Sequence, residues 1–139
     1  MVGIVVVTHG ELAKELISAV NFVLSSNPSV KMEGVCLHPD REFETFKQEI
    51  KSAIKKVKGK DGILLVTDMF GGTPSNISLT FLEENNVEVI SGVNLPMLLK
   101  LATLSDKVKL AEAVKIAEAA GRDNIIVASK LLHNRNTDK

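Results

Sequence analysis

Apolar residues along this chain fall into two alternating rhythms. Residues 2–7 are apolar on both faces, the pattern of a strand in the middle of a sheet. Residues 11–25 then place Leu12, Leu16, Ile17, Val20, Val23 and Leu24 at helical spacing. A turn at Asn27-Pro28-Ser29 leads into residues 30–37, where polar and apolar positions mix as in a less buried strand. His38-Pro39-Asp40 breaks that strand, and Phe43, Phe46, Ile50, Ala53, Ile54 and Val57 share one helix face. Lys58-Gly59-Lys60-Asp61-Gly62 is a loop, and residues 63–66 repeat the fully apolar strand. Thr73 ahead of Pro74 predicts a helix start, with a hydroxyl N-cap and proline at the first helical position, running to about Asn85. Residues 87–90 form a fourth strand, and Pro96 and Leu99 lie in a short helix. Ser105 is expected to cap a helix bearing Leu110, Ala113, Val114, Ala117 and Ala120, and Gly121 to end it. Residues 124–128 read as a last short strand, and the polar end from His133 as frayed.

Alternating strands and helices predict an α/β fold built on an open, mostly parallel sheet with helices on both faces. The two most apolar strands, the first and third, belong in the middle, so right-handed crossovers give the order 2-1-3-4. In that order the winding reverses between the first and third strands. Open α/β sheets bind ligands there, beyond the carboxyl ends of the strands. Thr8-His9 leaves the first strand at that point, and Thr67-Asp68 leaves the third.

That crevice carries chemistry. A neutral imidazole is a nucleophile, so His9 is the candidate nucleophile. Asp68 is placed to accept a hydrogen bond from Nδ1 of His9, fixing the tautomer, freeing Nε2 and stabilising the cation formed on attack. Gly71, Gly72 and Thr73 precede a helix, where unobstructed backbone N–H groups and a hydroxyl make a phosphate cradle. A histidine, a carboxylate and an anion cradle at one switch point suggest phosphoryl transfer through phosphohistidine. His38 reads as a turn residue, His133 as a solvated tail residue, and Cys36 as a small core residue.

Composition narrows the alternatives. A chain of 139 residues suits one domain with a real core. Lys plus Arg and Asp plus Glu are 17 each, so zero formal charge argues against nucleic acid as a partner. Aromatic residues are 4% with no Trp or Tyr, which leaves no base-stacking platform. A single cysteine makes no internal disulfide, and no targeting or bilayer-length segment is visible, so a cytoplasmic location is expected. No Cys/His cluster has zinc spacing and no Walker-type or G-x-G-x-x-G loop occurs, so neither metal nor cofactor is expected.

Three segments also carry a family resemblance: IVVVTHGELA, LLVTDMFGGTPSN and VISGVNLPMLL. In order and spacing the chain resembles the enzyme IIA domain of the mannose/fructose/sorbose class of the bacterial sugar phosphotransferase system. The likeness runs to about Lys130, which sets a domain at 1–130 and a polar tail at 131–139. It implies that His9 takes phosphate from HPr and passes it to enzyme IIB, which phosphorylates sugar entering through membrane subunits IIC and IID. It implies too that the hydrogen-bonding aspartate falls on Asp68 and the phosphate-binding turn on Gly71, Gly72 and Thr73. The resemblance further implies a homodimer whose carboxyl-terminal strand, here residues 124–128, reaches the partner subunit. Thr73 stands where some relatives have Ser, and Phe70 where some have Trp. No IIB domain follows within this chain, so IIB is expected as a separate polypeptide. Two other readings stay open. One is a phosphohistidine carrier serving a dihydroxyacetone kinase or a regulator. The other is a histidine phosphatase, because Thr8-His9-Gly10-Glu11 is similar to that family's Arg-His-Gly turn, although Thr8 replaces the clamping arginine.

Overall fold

In the computed structural model, which describes residues 1–25 and 30–137, four parallel strands pair in the order β2-β1-β3-β4. They are β1 (Gly3–His9), β2 (Met32–Leu37), β3 (Ile63–Thr67) and β4 (Val87–Ser91). This is the expected order, with the two fully apolar strands at the centre. The expected turn at Asn27-Pro28-Ser29 lies outside the described residues. Helices α1 (Leu12–Leu24), α2 (Phe43–Val57), α3 (Thr73–Leu79), α4 (Leu95–Ala102), α5 (Leu110–Asp123) and α6 (Ala128–Thr137) complete the chain.

The period-2 alternation of the central strands divides the core into two layers. Ile4, Val6, Leu64 and Val66 point to one face, beneath α1, α4 and α5. Val5, Val7, Ile63 and Leu65 point to the other, where Phe46 and Ile50 of α2 and Ile77 of α3 cover them. Every one of these eight strand side chains is buried, so β1 and β3 are held rigidly from both sides. At the amino edge of the sheet, the buried carboxylate of Asp61 accepts from Lys109 Nζ at 2.8 Å and pairs with the α-amino group of Met1 at 2.9 Å. The Lys109 hydrogen bond, helped by the α-amino group, brings the Asp61 carboxyl down to about 2 against the effect of burial.

Several local expectations are corrected. The N-cap of α3 is Gly72 and Pro74 occupies its second position, so Thr73 is the first helical residue rather than the cap. The helix stops at Leu79 instead of continuing to about Asn85. From Thr80 onward the chain closes three-residue turns, and the Thr80 hydroxyl donates to the Ile77 carbonyl at 2.6 Å. Ser105 caps only a turn, accepting from Lys107 N–H at 3.2 Å, while α5 starts five residues later at Leu110. Gly121 lies inside α5 and does not end it. A Cβ there would come within 2.9 Å of Cε at the flexible end of Met97, so α5 packs close to α4 at this position.

The expected strand at 124–128 is absent from the single chain. A strand forms only against another strand, and residues 125–127 meet none, so they run irregularly. The Val127 carbonyl then accepts from Lys130 and Leu131 N–H and opens α6, which carries the tail expected to be frayed on to Thr137. Among the described residues no helix is long and apolar enough to cross a membrane.

Candidate functional site

Parallel strands end together. His9 of β1 lies in register with Leu37 of β2, and Thr67 of β3 with Ser91 of β4. Their carboxyl ends are tied to one another. Gly10 N–H donates to the Leu37 carbonyl at 2.7 Å, with Gly10 at φ +56°, a left-handed conformation that glycine adopts without strain. The Thr67 and Ser91 hydroxyls are 2.7 Å apart. The buried Thr8 hydroxyl accepts the Ala13 N–H at 2.7 Å, satisfying one of the orphan donors at the start of α1. Thr8 therefore anchors the turn on which His9 stands.

Both the backbone N–H and the ring of His9 bond to one carboxylate oxygen. His9 N–H reaches Asp68 Oδ2 at 3.0 Å, and Nδ1 reaches the same oxygen at 2.8 Å. The other oxygen, Oδ1, accepts the Met69 N–H at 3.0 Å. Burial raises the Asp68 carboxyl, but the His9 ring, the His9 backbone and Met69 outweigh it and hold the group below the ordinary carboxylate range. A carboxylate is an acceptor only, so the hydrogen shared with His9 belongs to Nδ1, which in a neutral imidazole leaves the lone pair on Nε2. The imidazole is 47% exposed and its carboxylate partner 14%, so the ring is open to solvent while the carboxylate is sheltered.

The glycine turn meets the other edge of the ring. A Cβ on Gly72 would stand 2.8 Å from His9 Cε1 and 3.2 Å from Nε2, so glycine lets the chain approach Nε2 this closely without moving the ring. Gly71 precedes it at φ +96°. Thr73 lines the adjoining cavity of about 390 Å³ together with His9. Gly72→Ala is therefore expected to displace the imidazole from Asp68 and lower any His9 chemistry by about tenfold, because a small misplacement of a reacting atom is costly. The fold should persist, since the first atoms met belong to a half-exposed side chain. Unchanged transfer kinetics in a folded Gly72→Ala protein would refute the close approach.

The structure thus brings His9, Asp68, Gly72 and Thr73 together, with Gly71 in the same turn. Phe70 is 74% exposed and is not among the residues lining the cavity. Sequence reasoning missed four contributors. The roles of Thr8 and Thr67 were signalled only by hydroxyls at the ends of apolar strands. His38 is more than a turn residue: its Nε2 lies 3.0 Å from Glu11 Oε1 and its side chain lines the same cavity. Arg41 lines it too, with no signal beyond its place after a strand.

Residues 3–118 match the profile of the EIIA-man family, described as PTS system fructose IIA component. The chain is 26% identical over 144 residues to the PTS system fructose-specific EIIA component of Bacillus subtilis (strain 168), across 99% of this chain and 93% of that protein. It is 29% identical over 126 residues to the PTS system mannose-specific EIIAB component of Escherichia coli (strain K12), across 89% of this chain but only 38% of that longer protein. In fold it is similar to the crystal structure of phosphotransferase system component EIIA from Streptococcus agalactiae. That likeness has a TM-score of 0.80 at 23% identity and covers 94% of this chain and 99% of that one.

Proposed function

We propose, from the premise that this chain belongs to the family of PTS system fructose IIA components, that it is a phosphocarrier acting through His9. It accepts a phosphoryl group from HPr and passes it to enzyme IIB, which serves sugar uptake through the membrane subunits IIC and IID. The observation that carries this reading is the single carboxylate oxygen of Asp68 bound to both His9 N–H and Nδ1, with Nε2 left at the glycine turn.

The chemistry follows from that arrangement. The Nε2 lone pair attacks the donor's phosphorus. The bond from phosphorus to the donor's leaving atom breaks, and its electron pair departs with that atom. The ring, still protonated at Nδ1, takes on positive charge, which the Asp68 carboxylate stabilises at 2.8 Å. Backbone N–H groups of Gly71, Gly72 and Thr73 and the Thr73 hydroxyl receive the phosphoryl oxygens. In the second step the acceptor attacks the same phosphorus, and the P–N electron pair returns to Nε2. The test is to incubate the protein with enzyme I, HPr and phosphoenolpyruvate and read the adduct by phosphorus and nitrogen NMR. An acid-labile adduct at Nε2 is expected; an Nδ1 adduct, or no adduct, overturns the reading.

The carrier domain spans 1–130, followed by the tail at 131–139, and works in the cytoplasm as a homodimer. Support for the dimer comes from Ile125, Ile126 and Val127, which are 76%, 57% and 53% exposed in the single chain, with Leu131 and Leu132 exposed beyond them. Such a run needs cover, and a two-fold partner is the commonest source. Residues 124–128 then pair as a strand with the partner's sheet. Light scattering should give a dimer for the full chain and a monomer or aggregate after deletion of residues 124–139. A full-length monomer at micromolar concentration, or a truncated dimer, contradicts the exchange and leaves the His9 chemistry untouched.

A further inference from the structure

Phosphorylation creates a charge problem that the backbone cradle does not solve. A phosphoryl dianion on Nε2 stands across one imidazole ring from the Asp68 carboxylate. The N–H groups of the glycine turn offer dipoles but no net charge. Ionisable side chains lining the 390 Å³ cavity are His9, His38 and Arg41, and Arg41 is the only Lys or Arg among them. Its guanidinium is charged at any working pH and carries five donors in a planar fork.

The position of Arg41 is fixed relative to His9. Its backbone N–H donates to the His38 carbonyl at 3.0 Å, and Leu37, just before His38, accepts from Gly10 beside His9. The side chain is 32% exposed and pairs through Nη1 with Glu49 of α2. One edge of the fork is thereby occupied and the remaining donors are available for a second oxyanion. Arg41 also lines the neighbouring groove along β2 and α2, so its side chain straddles the wall between that groove and the His9 cavity. His38 is turned to Glu11, which leaves Arg41 as the cation able to answer a new negative charge.

Resting on the phosphocarrier reading, we propose that Arg41 is a ligand of the phosphoryl group on His9: its guanidinium shares itself between Glu49 and the phosphoryl oxygens once the P–N bond forms. The consequence is an equilibrium effect. Arg41 stabilises the phosphorylated state relative to the free one and so sets how far phosphoryl transfer from HPr proceeds.

The experiment mixes full-length protein with phosphorylated HPr at fixed ratios and measures the phosphorylated fraction at equilibrium by phosphorus NMR. Parent, Arg41→Gln, Arg41→Lys and Glu49→Gln are compared, with circular dichroism verifying the fold. Arg41→Gln should lower the equilibrium constant about tenfold or more, the worth of one charge-assisted hydrogen bond. Arg41→Lys should recover part of that loss. Glu49→Gln, which frees the guanidinium, should hold the constant at the parent value or raise it. A folded Arg41→Gln protein with the parent constant overturns the proposal. So does a fall in Glu49→Gln equal to that in Arg41→Gln, which makes the pair purely structural. If the parent itself takes no phosphoryl group on His9, the carrier reading fails and this assignment falls with it.

Discussion

His9→Gln is expected to take no phosphoryl label from phosphoenolpyruvate, enzyme I and HPr, while His38→Gln labels like the parent. Glutamine retains a donor for Asp68 but has no nucleophilic nitrogen, because its amide lone pair is delocalised. The ring it replaces is 47% exposed, so little packing is lost and the fold should persist. His38 is the internal control because it lines the same cavity and is also an imidazole. Its Nε2 is held by Glu11 at 3.0 Å, and among the described residues no carboxylate bonds its Nδ1 as Asp68 bonds that of His9. Each variant replaces one imidazole of the same cavity by the same neutral amide, so a difference between them reports the role of the ring that was removed. Label remaining on His9→Gln, or lost from His38→Gln, would transfer the nucleophile to His38.

The legible features were those set by side-chain pattern alone. Residues 2–7 and 63–66 are apolar on both faces because helices cover both sides of β1 and β3, and that fact, with right-handed crossovers, orders the sheet. The order then aligns His9 with Asp68, 59 positions apart in the chain. Features set by tertiary contact were not legible. Gly121 has the residue type of a helix end, yet it lies inside α5 against Met97 of another helix. Thr73 has the type of a cap, yet Gly72 takes that position because its backbone packs on His9. Ser105 caps a turn because α5 begins only after Lys109 reaches Asp61. The pairing of His38 with Glu11 and of Arg41 with Glu49 joins different elements, and no local pattern announces either. Residues 125–127 have β-forming side chains but find no strand in their own chain.

Asp68→Asn should fold and transfer phosphoryl groups roughly tenfold or more slowly, since one preorganised charged group facing developing charge supplies several kcal/mol. Two effects combine. The amide carries no charge to stabilise the imidazolium-like ring that forms when Nε2 takes phosphorus. It can also rotate to place its NH₂ toward Nδ1, which moves the ring hydrogen to Nε2 and blocks the attacking lone pair. Phosphorus–nitrogen NMR should therefore find slower labelling and a loss of the strict Nε2 position. Stability should change with a defined sign. The folded Asp68 carboxyl lies below its ordinary range, so it stabilises the parent above the unfolded value near ~3.9. That contribution disappears as pH falls through the folded value. The variant should thus be less stable than the parent near neutrality, and the gap should close in acid. An Asp68→Asn protein that transfers at the parent rate, with a stability difference independent of pH, would reduce Asp68 to a strand terminator.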